Sequence, residues 1–292
     1  MFEKILIPTD FSQNSKAVIE CVKEFPGAKD VILLHIIGPA DPLARVWDPG
    51  GRVAEAQAKL SEQEMLLQGK GLNVKTMVQV LTEGELHRAI QKVADVEGAN
   101  LIAMSARGKG VIEGLLLGNV AKNVLRYGNT TLLLMHYRIL EGEEGIGLEE
   151  FCPHPLARVL CPTDLSKPAE QAIDLIKRSE GVSEILLQHV VFQGETWKEV
   201  GHHVEEASKK VDVLASEIKK AGIKARTHVS VGSPAEEISI LAGKEKVSMI
   251  AMNAYGKGWF EQLTVGSITY DVAKKAGRPV LVIRTKPISS PP

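Results

Sequence analysis

Along this chain, short apolar runs alternate with longer stretches in which apolar positions recur every three or four residues. In the first half the apolar runs fall at 4–8, 31–37, 74–80, 101–105 and 131–136. Between them, helical periodicity covers 15–24, 52–68, 85–97 and 117–127. The runs are apolar on both faces, as strands of a parallel sheet covered on both sides must be. Strands alternating with helices, joined by right-handed crossovers, predict a doubly wound α/β sheet.

The second half repeats the first. Lys4-Ile-Leu-Ile-Pro-Thr-Asp-Phe-Ser12 returns as Arg158-Val-Leu-Cys-Pro-Thr-Asp-Leu-Ser166, an offset of 154 that also carries His35 onto His189. Further on the offset is 148: Thr82-Glu-Gly84 matches Ser230-Val-Gly232, and Asn100-Leu-Ile-Ala-Met-Ser-Ala106 matches Ser248-Met-Ile-Ala-Met-Asn-Ala254. The six lost residues are assigned to the Pro- and Gly-rich loop at 38–51. A repeat of this length is a whole domain rather than a solenoid unit. The expected organisation is domain 1 over 1–138, an acidic, glycine-rich linker over 139–156, and domain 2 over 157–292.

In an open doubly wound sheet, ligands bind beyond the strand C-termini where the winding reverses. That places the first-strand ends, Pro8-Thr9-Asp10 and Pro162-Thr163-Asp164, opposite the fourth-strand ends, which carry Met104, Ser105 and Gly108 or Met252, Asn253 and Gly256. An Asp there can accept hydrogen bonds from a ligand amine or hydroxyl; equally, with Ser12 or Ser166, it can only cap the next helix. After Gly108 and again after Gly256, nine residues pass before Gly118-Asn119 and Gly266-Ser267. Each of these later glycines directly precedes a helical pattern, so its backbone N–H groups and the positive helix end suit a phosphate.

These residues resemble the universal stress protein family, and specifically a tandem, two-domain member. The nucleotide-binding members of that family carry G-x2-G-x9-G-[ST] after the fourth strand and an Asp after the first strand that meets adenine. The resemblance implies two tandem five-stranded, Rossmann-like parallel sheets of the adenine nucleotide alpha hydrolase type. It implies ATP or another adenine nucleotide as ligand, with or without Mg2+. Asp10 and Asp164 would meet adenine, Ile36 and Val190 would line the base pocket, and Gly108, Gly118, Gly256, Gly266 and Ser267 would hold ribose and phosphates. The chain departs from the motif at Ser105, Asn119 and Asn253, which makes the second copy the better candidate. A scaffold whose nucleotide sites have decayed is the alternative. At most a slow ATPase is left open as an enzymatic activity.

Composition bounds the rest. The chain is 44% hydrophobic and 24% charged, and 35 Lys+Arg against 36 Asp+Glu give a formal charge of −1. That balance gives no chain-wide attraction to nucleic acid, and no apolar run approaches a membrane span of ~20 residues. Cys21, Cys152 and Cys161 form no C-x-x-C pair, which argues against a disulfide framework or zinc site and for a reducing cytoplasm. No P-loop, early G-x-G-x-x-G or G-x-S-x-G elbow occurs. His202-His203 are expected on a helix surface, His35 and His189 as packed, hydrogen-bonded residues, and Cys161 as a core residue. Arg107, Lys109 and Lys257 stand near the glycine loops, and Trp259-Phe260 form an aromatic pair between the later motif glycines. The fifth strands, 131–136 and 278–284, are expected at sheet edges, so that the two halves pair within one chain; a further homodimer is left open.

Overall fold

A computed structural model describes residues 2–38, 49–108, 117–136, 154–192, 197–256 and 265–285. The chain divides into two compact units, Met1–Pro155 and Leu156–Pro292. The linker expected over 139–156 lies outside the described residues up to 153, as do Lys109, Lys257 and the Trp259-Phe260 pair.

The first unit runs β1 (Lys4–Pro8), α1 (Gln13–Val22), β2 (Asp30–Ile37), α2 (Pro49–Met65), β3 (Asn73–Val80), α3 (Leu86–Glu97), β4 (Leu101–Ser105), α4 (Asn119–Tyr127) and β5 (Thr131–Met135). Its strands lie in the order β3-β2-β1-β4-β5, with all described pairings parallel. The second unit runs β6 (Arg158–Pro162), α5 (Lys167–Lys177), β7 (Glu184–Val191), α6 (Trp197–Lys220), β8 (Lys224–Val231), α7 (Pro234–Lys244), β9 (Met249–Asn253), α8 (Ser267–Lys275) and β10 (Val280–Ile283). Its order, β8-β7-β6-β9-β10, is the same topology.

The central strands are apolar because both of their faces are covered. Ile5, Leu6, Ile7, Leu101, Ile102 and Ala103 are fully buried, as are Val159, Leu160, Met249 and Ile250 in the second unit. In the first unit α1 packs on β1 and β4 and α2 on β2 and β3, while α3 and α4 pack on each other and against β2 and β5. The chain therefore winds outward from β1 to β3 and then returns past β1 to β4. That reversal leaves a crevice beyond the C-terminal ends of β1 and β4, which pair through Ile5–Leu101 and Leu6–Ile102. The equivalent crevice in the second unit stands beyond β6 and β9, paired through Val159–Met249 and Leu160–Ile250.

Three expectations shift. The first helix begins at Gln13 rather than 15, because the Ser12 hydroxyl accepts from the Ser15 N–H and sets the helix start two residues earlier. The six residues separating the repeat offsets do not all fall in the 38–51 loop. Ile37 pairs with Val80 and Val191 with Val231, so the offset is already 151 at the end of the third strand. The last three are lost between that strand and Gly84 or Gly232, in a second surface connection where added length costs little. Finally, Cys21, buried on α1, is disulfide-bonded, so the absence of a C-x-x-C pair does not exclude a disulfide at that residue. Cys161 is a free thiol inside β6, and burial pushes its pKa up to about 12, far from nucleophilic use.

Candidate functional site

The corner after β6 is built by a local hydrogen-bond pattern. The Thr163 hydroxyl accepts from the Leu165 N–H at 3.0 Å, and Asp164 Oδ1 accepts from the Ser166 N–H at 3.1 Å and the Ser166 hydroxyl at 2.5 Å. Between these two turns Leu165 is held at φ 60°, in the left-handed region. Such a conformation costs a non-glycine residue about 1–3 kcal/mol and persists only where its surroundings fix it. Ser166 then caps α5, its hydroxyl accepting from the Ala169 N–H. His189 fixes the corner from β7: its Nδ1–H donates to the Thr163 carbonyl at 2.8 Å. A carbonyl can only accept, so Nδ1 carries the proton, and the histidine is a structural donor as the sequence suggested.

The first unit repeats the device. Thr9, Asp10 and Ser12 make the same turns, Phe11 stands at φ 62°, and the His35 Nδ1–H donates to the Thr9 carbonyl at 2.8 Å. There Ser15 adds a hydroxyl to Asp10 Oδ1 at 2.5 Å, and Phe11 stacks on His35 with ring centroids 4.2 Å apart.

Each aspartate thus serves two ends. Its Oδ1 organises the turn, which is the capping role the sequence allowed. Its Oδ2 faces the glycine after the fourth strand: a Cβ on Gly256 would stand 2.9 Å from Asp164 Oδ2, and one on Gly108 would collide with Asp10 Oδ2. A side chain at either place would push the aspartate carboxylate out of its position, so glycine lets the carboxylate stand against the backbone there.

The opposite wall is a helix start. Gly266 is the cap of α8 and Gly118 of α4, and neither helix has a side-chain cap. A helix N-terminus leaves its first N–H groups without intrahelical acceptors, with a partial positive charge at that end. The Gly266 N–H closes the loop onto the Ala254 carbonyl at 2.8 Å, as Gly118 does onto Ala106. Among the described residues no group of His, Cys, Asp and Glu could hold a metal ion.

In the second unit these walls enclose a cavity of about 450 Å³, within the size range of small-molecule sites. All nine residues singled out there from sequence line it: Pro162, Thr163, Asp164, Val190, Met252, Asn253, Gly256, Gly266 and Ser267. Asn253 stands where the motif has its first glycine, but its amide is engaged within the fold. Nδ2–H donates to the Pro168 carbonyl at 2.7 Å and to the Thr285 hydroxyl at 3.0 Å, while Oδ1 accepts from the Tyr255 N–H. In the first unit Ser105 likewise turns inward, its hydroxyl donating to the Arg107 carbonyl. Pro8, Thr9, Asp10, Met104, Ser105, Gly108, Gly118 and Asn119 gather at the ends of β1, β4 and α4, with Ile36 beside them on β2.

Sequence reasoning missed several lining residues, among them Gln188, Pro234, Ile238 and Tyr255. Pro234 and Ile238 come from α7, one turn apart, and no local signal ties them to a strand end. Gln188 did leave a signal: it is a polar residue within the apolar strand Ile185-Leu-Leu-Gln-His-Val-Val191, where the first copy has Leu34. His202 and His203 are exposed on α6, with ring centroids 6.3 Å apart.

The model of the Universal stress protein family matches residues 1–136 and 156–284. A universal stress protein of Methanocaldococcus jannaschii is 30% identical over 154 residues, 44% of this chain and 95% of the relative. One from Mycolicibacterium smegmatis is 21% identical over 306 residues, covering 97% of each chain. The crystal structure of a universal stress protein from Archaeoglobus fulgidus has the same fold, with a TM-score of 0.71 at 22% identity over 97% of this chain and 99% of that one.

Proposed function

Since this chain belongs to the universal stress protein family, we propose that it binds ATP or another adenine nucleotide in the cavity of its second unit and acts as a nucleotide-dependent regulator. The observation carrying this reading is the enclosure of one cavity by an acidic corner, Asp164, and an uncapped helix start, Gly266-Ser267. The two ends suit opposite parts of one ligand. A carboxylate oxygen accepts from a base amine or a ribose hydroxyl, and helix N–H groups receive phosphate oxygens. Pro162, Val190, Ile238 and Met252 supply the apolar surface a base ring needs between them. Asn253 is compatible with this use, because its amide is spent on the loop rather than projected as an unpaired group. Any Mg2+ would arrive with the phosphates. A cytoplasmic setting and association of the two halves, both expected from the sequence, belong to the same proposal.

Isothermal titration with ATP at millimolar nucleotide tests it. The intact chain should release or absorb heat on binding, and Asp164→Ala should weaken binding by at least tenfold while melting within a few degrees of the parent. No heat from the parent chain would reject the nucleotide reading in favour of a scaffold.

A further inference from the structure

The Asp164 carboxylate can serve a ligand only while its corner holds still, and a side chain from outside the corner supplies the hold. Strand β6 ends at Pro162, and the next residue is fastened to β7 twice. The Thr163 N–H donates to the Gln188 carbonyl at 2.8 Å, and the Thr163 carbonyl accepts from His189 Nδ1–H at 2.8 Å. The second bond comes from a side chain, and it acts on the residue directly before Asp164. The Thr163 C=O and the Asp164 N–H belong to one planar peptide unit, so fixing the oxygen fixes the plane from which the aspartate departs. The other bonds of the corner are local: the Thr163 hydroxyl takes the Leu165 N–H, and Asp164 Oδ1 takes the N–H and hydroxyl of Ser166. They shape the turn without tying it to the sheet, and Leu165 at φ 60° keeps its conformation only while the surroundings impose it. Asp164 Oδ2 lies close over the Gly256 backbone, so a small tilt of that plane moves it against the glycine or away from it.

We propose that His189 is a positioning residue for nucleotide binding: its Nδ1–H, acting through the Thr163 carbonyl, sets the direction of the Asp164 carboxylate and with it the affinity of the cavity. The proposal rests on the nucleotide reading and adds to it what aims the carboxylate. The requirement is narrow, a donor at the Nδ1 position. Asparagine places an amide N–H near that position, glutamine carries its amide one bond further out, and leucine donates nothing. The first unit supplies a matched control, since His35 makes the same bond to the Thr9 carbonyl at 2.8 Å.

The test titrates the full chain with ATP well below the melting temperature of each variant. His189→Leu and His189→Gln should each weaken the strong site about tenfold, and His189→Asn should stay within about threefold of the parent. His35→Leu should lower the melting temperature by an amount similar to His189→Leu while keeping the parent's affinity at the strong site. Nitrogen-15 spectra of the parent should show the Nδ1–H tautomer at His189 with and without ATP, a readout that needs no variant to fold. If His189→Leu binds as tightly as the parent, if asparagine rescues no better than glutamine, if His35→Leu loses as much affinity, or if His189 carries its proton on Nε2 alone, the positioning role is overturned while nucleotide binding stands. If the parent gives no heat with ATP, the nucleotide reading falls, and the positioning role with it.

Discussion

At Asp164 one carboxylate is divided between folding and recognition. Oδ1 is committed to Ser166 and Oδ2 stands over Gly256, so the side chain cannot move without disturbing one or the other. The two motif glycines of this unit should therefore respond differently to the same change. A methyl on Gly256 would stand 2.9 Å from Asp164 Oδ2, whereas one on Gly266 would meet its nearest neighbour, the Ala254 carbonyl oxygen, at an ordinary 3.5 Å. Gly266 also has φ −61°, which alanine adopts freely. Gly256→Ala should weaken ATP binding about tenfold, because the carboxylate swings aside, with stability changed by less than about 1 kcal/mol since only a side-chain end must shift. Gly266→Ala should change affinity by less than about threefold. Titration of both variants, with urea denaturation alongside, separates them.

At the scale of elements, the far end of the second sheet is tied by charge. Glu184 on β7 accepts from Arg158 of β6 at 2.9 Å and from Arg226 of β8 at 2.6 Å, and Arg226 also reaches Glu245 at 2.7 Å. Partial burial alone would raise the Glu184 pKa, but the hydrogen bond and charge of Arg226, with Arg158 adding to them, outweigh it and hold the carboxyl below its ordinary value. A carboxylate whose pKa is lower in the folded state contributes stability above its unfolded pKa of about 4.3 and loses it as pH falls through the folded value. Glu184→Gln should therefore cost stability at pH 7, by no more than about 1 kcal/mol for such a partly solvated network. That deficit should shrink toward zero near pH 3. Urea denaturation midpoints of parent and variant at the two pH values check the sign; a deficit that grows in acid would contradict it.

For the molecule as a whole, duplication has produced two crevices of one design and different content. Leu34 and Gln188 occupy matching strand positions, Arg107 and Tyr255 match in the loops after the fourth strands, and Asn119 and Ser267 match at the helix starts. The second unit has the Ser after its helix-start glycine, and it is expected to bind the more tightly. Titration of the intact chain should give one strong site, retained in Asp10→Ala and lost in Asp164→Ala. Saturating ATP should raise the melting temperature of the parent and of Asp10→Ala, because a ligand bound only by the folded state stabilises it by mass action. An equal loss from both substitutions would show the crevices to be equivalent.

How much was written in the chain follows from the range of the forces involved. Strand positions, the reversal of winding, the Asp corners and the glycine intervals were legible because strand periodicity, turn chemistry and helix starts are local, and because a duplicated sequence states each signal twice. Boundaries moved by one to a few residues where a cap decided them, as at Ser12. The exact places of the deleted residues emerged only from strand register, which no local pattern encodes. Tertiary structure alone brought Pro234 and Ile238 to the cavity, set Asp164 Oδ2 against Gly256, and committed the amide of Asn253, at the cavity wall, to hydrogen bonds within the fold. It also left Gln188 Oε1 buried without a hydrogen-bond partner among the described residues. Each of these depends on groups distant in sequence competing for one small, desolvated volume, and that competition is settled only when the sheet and its covering helices close.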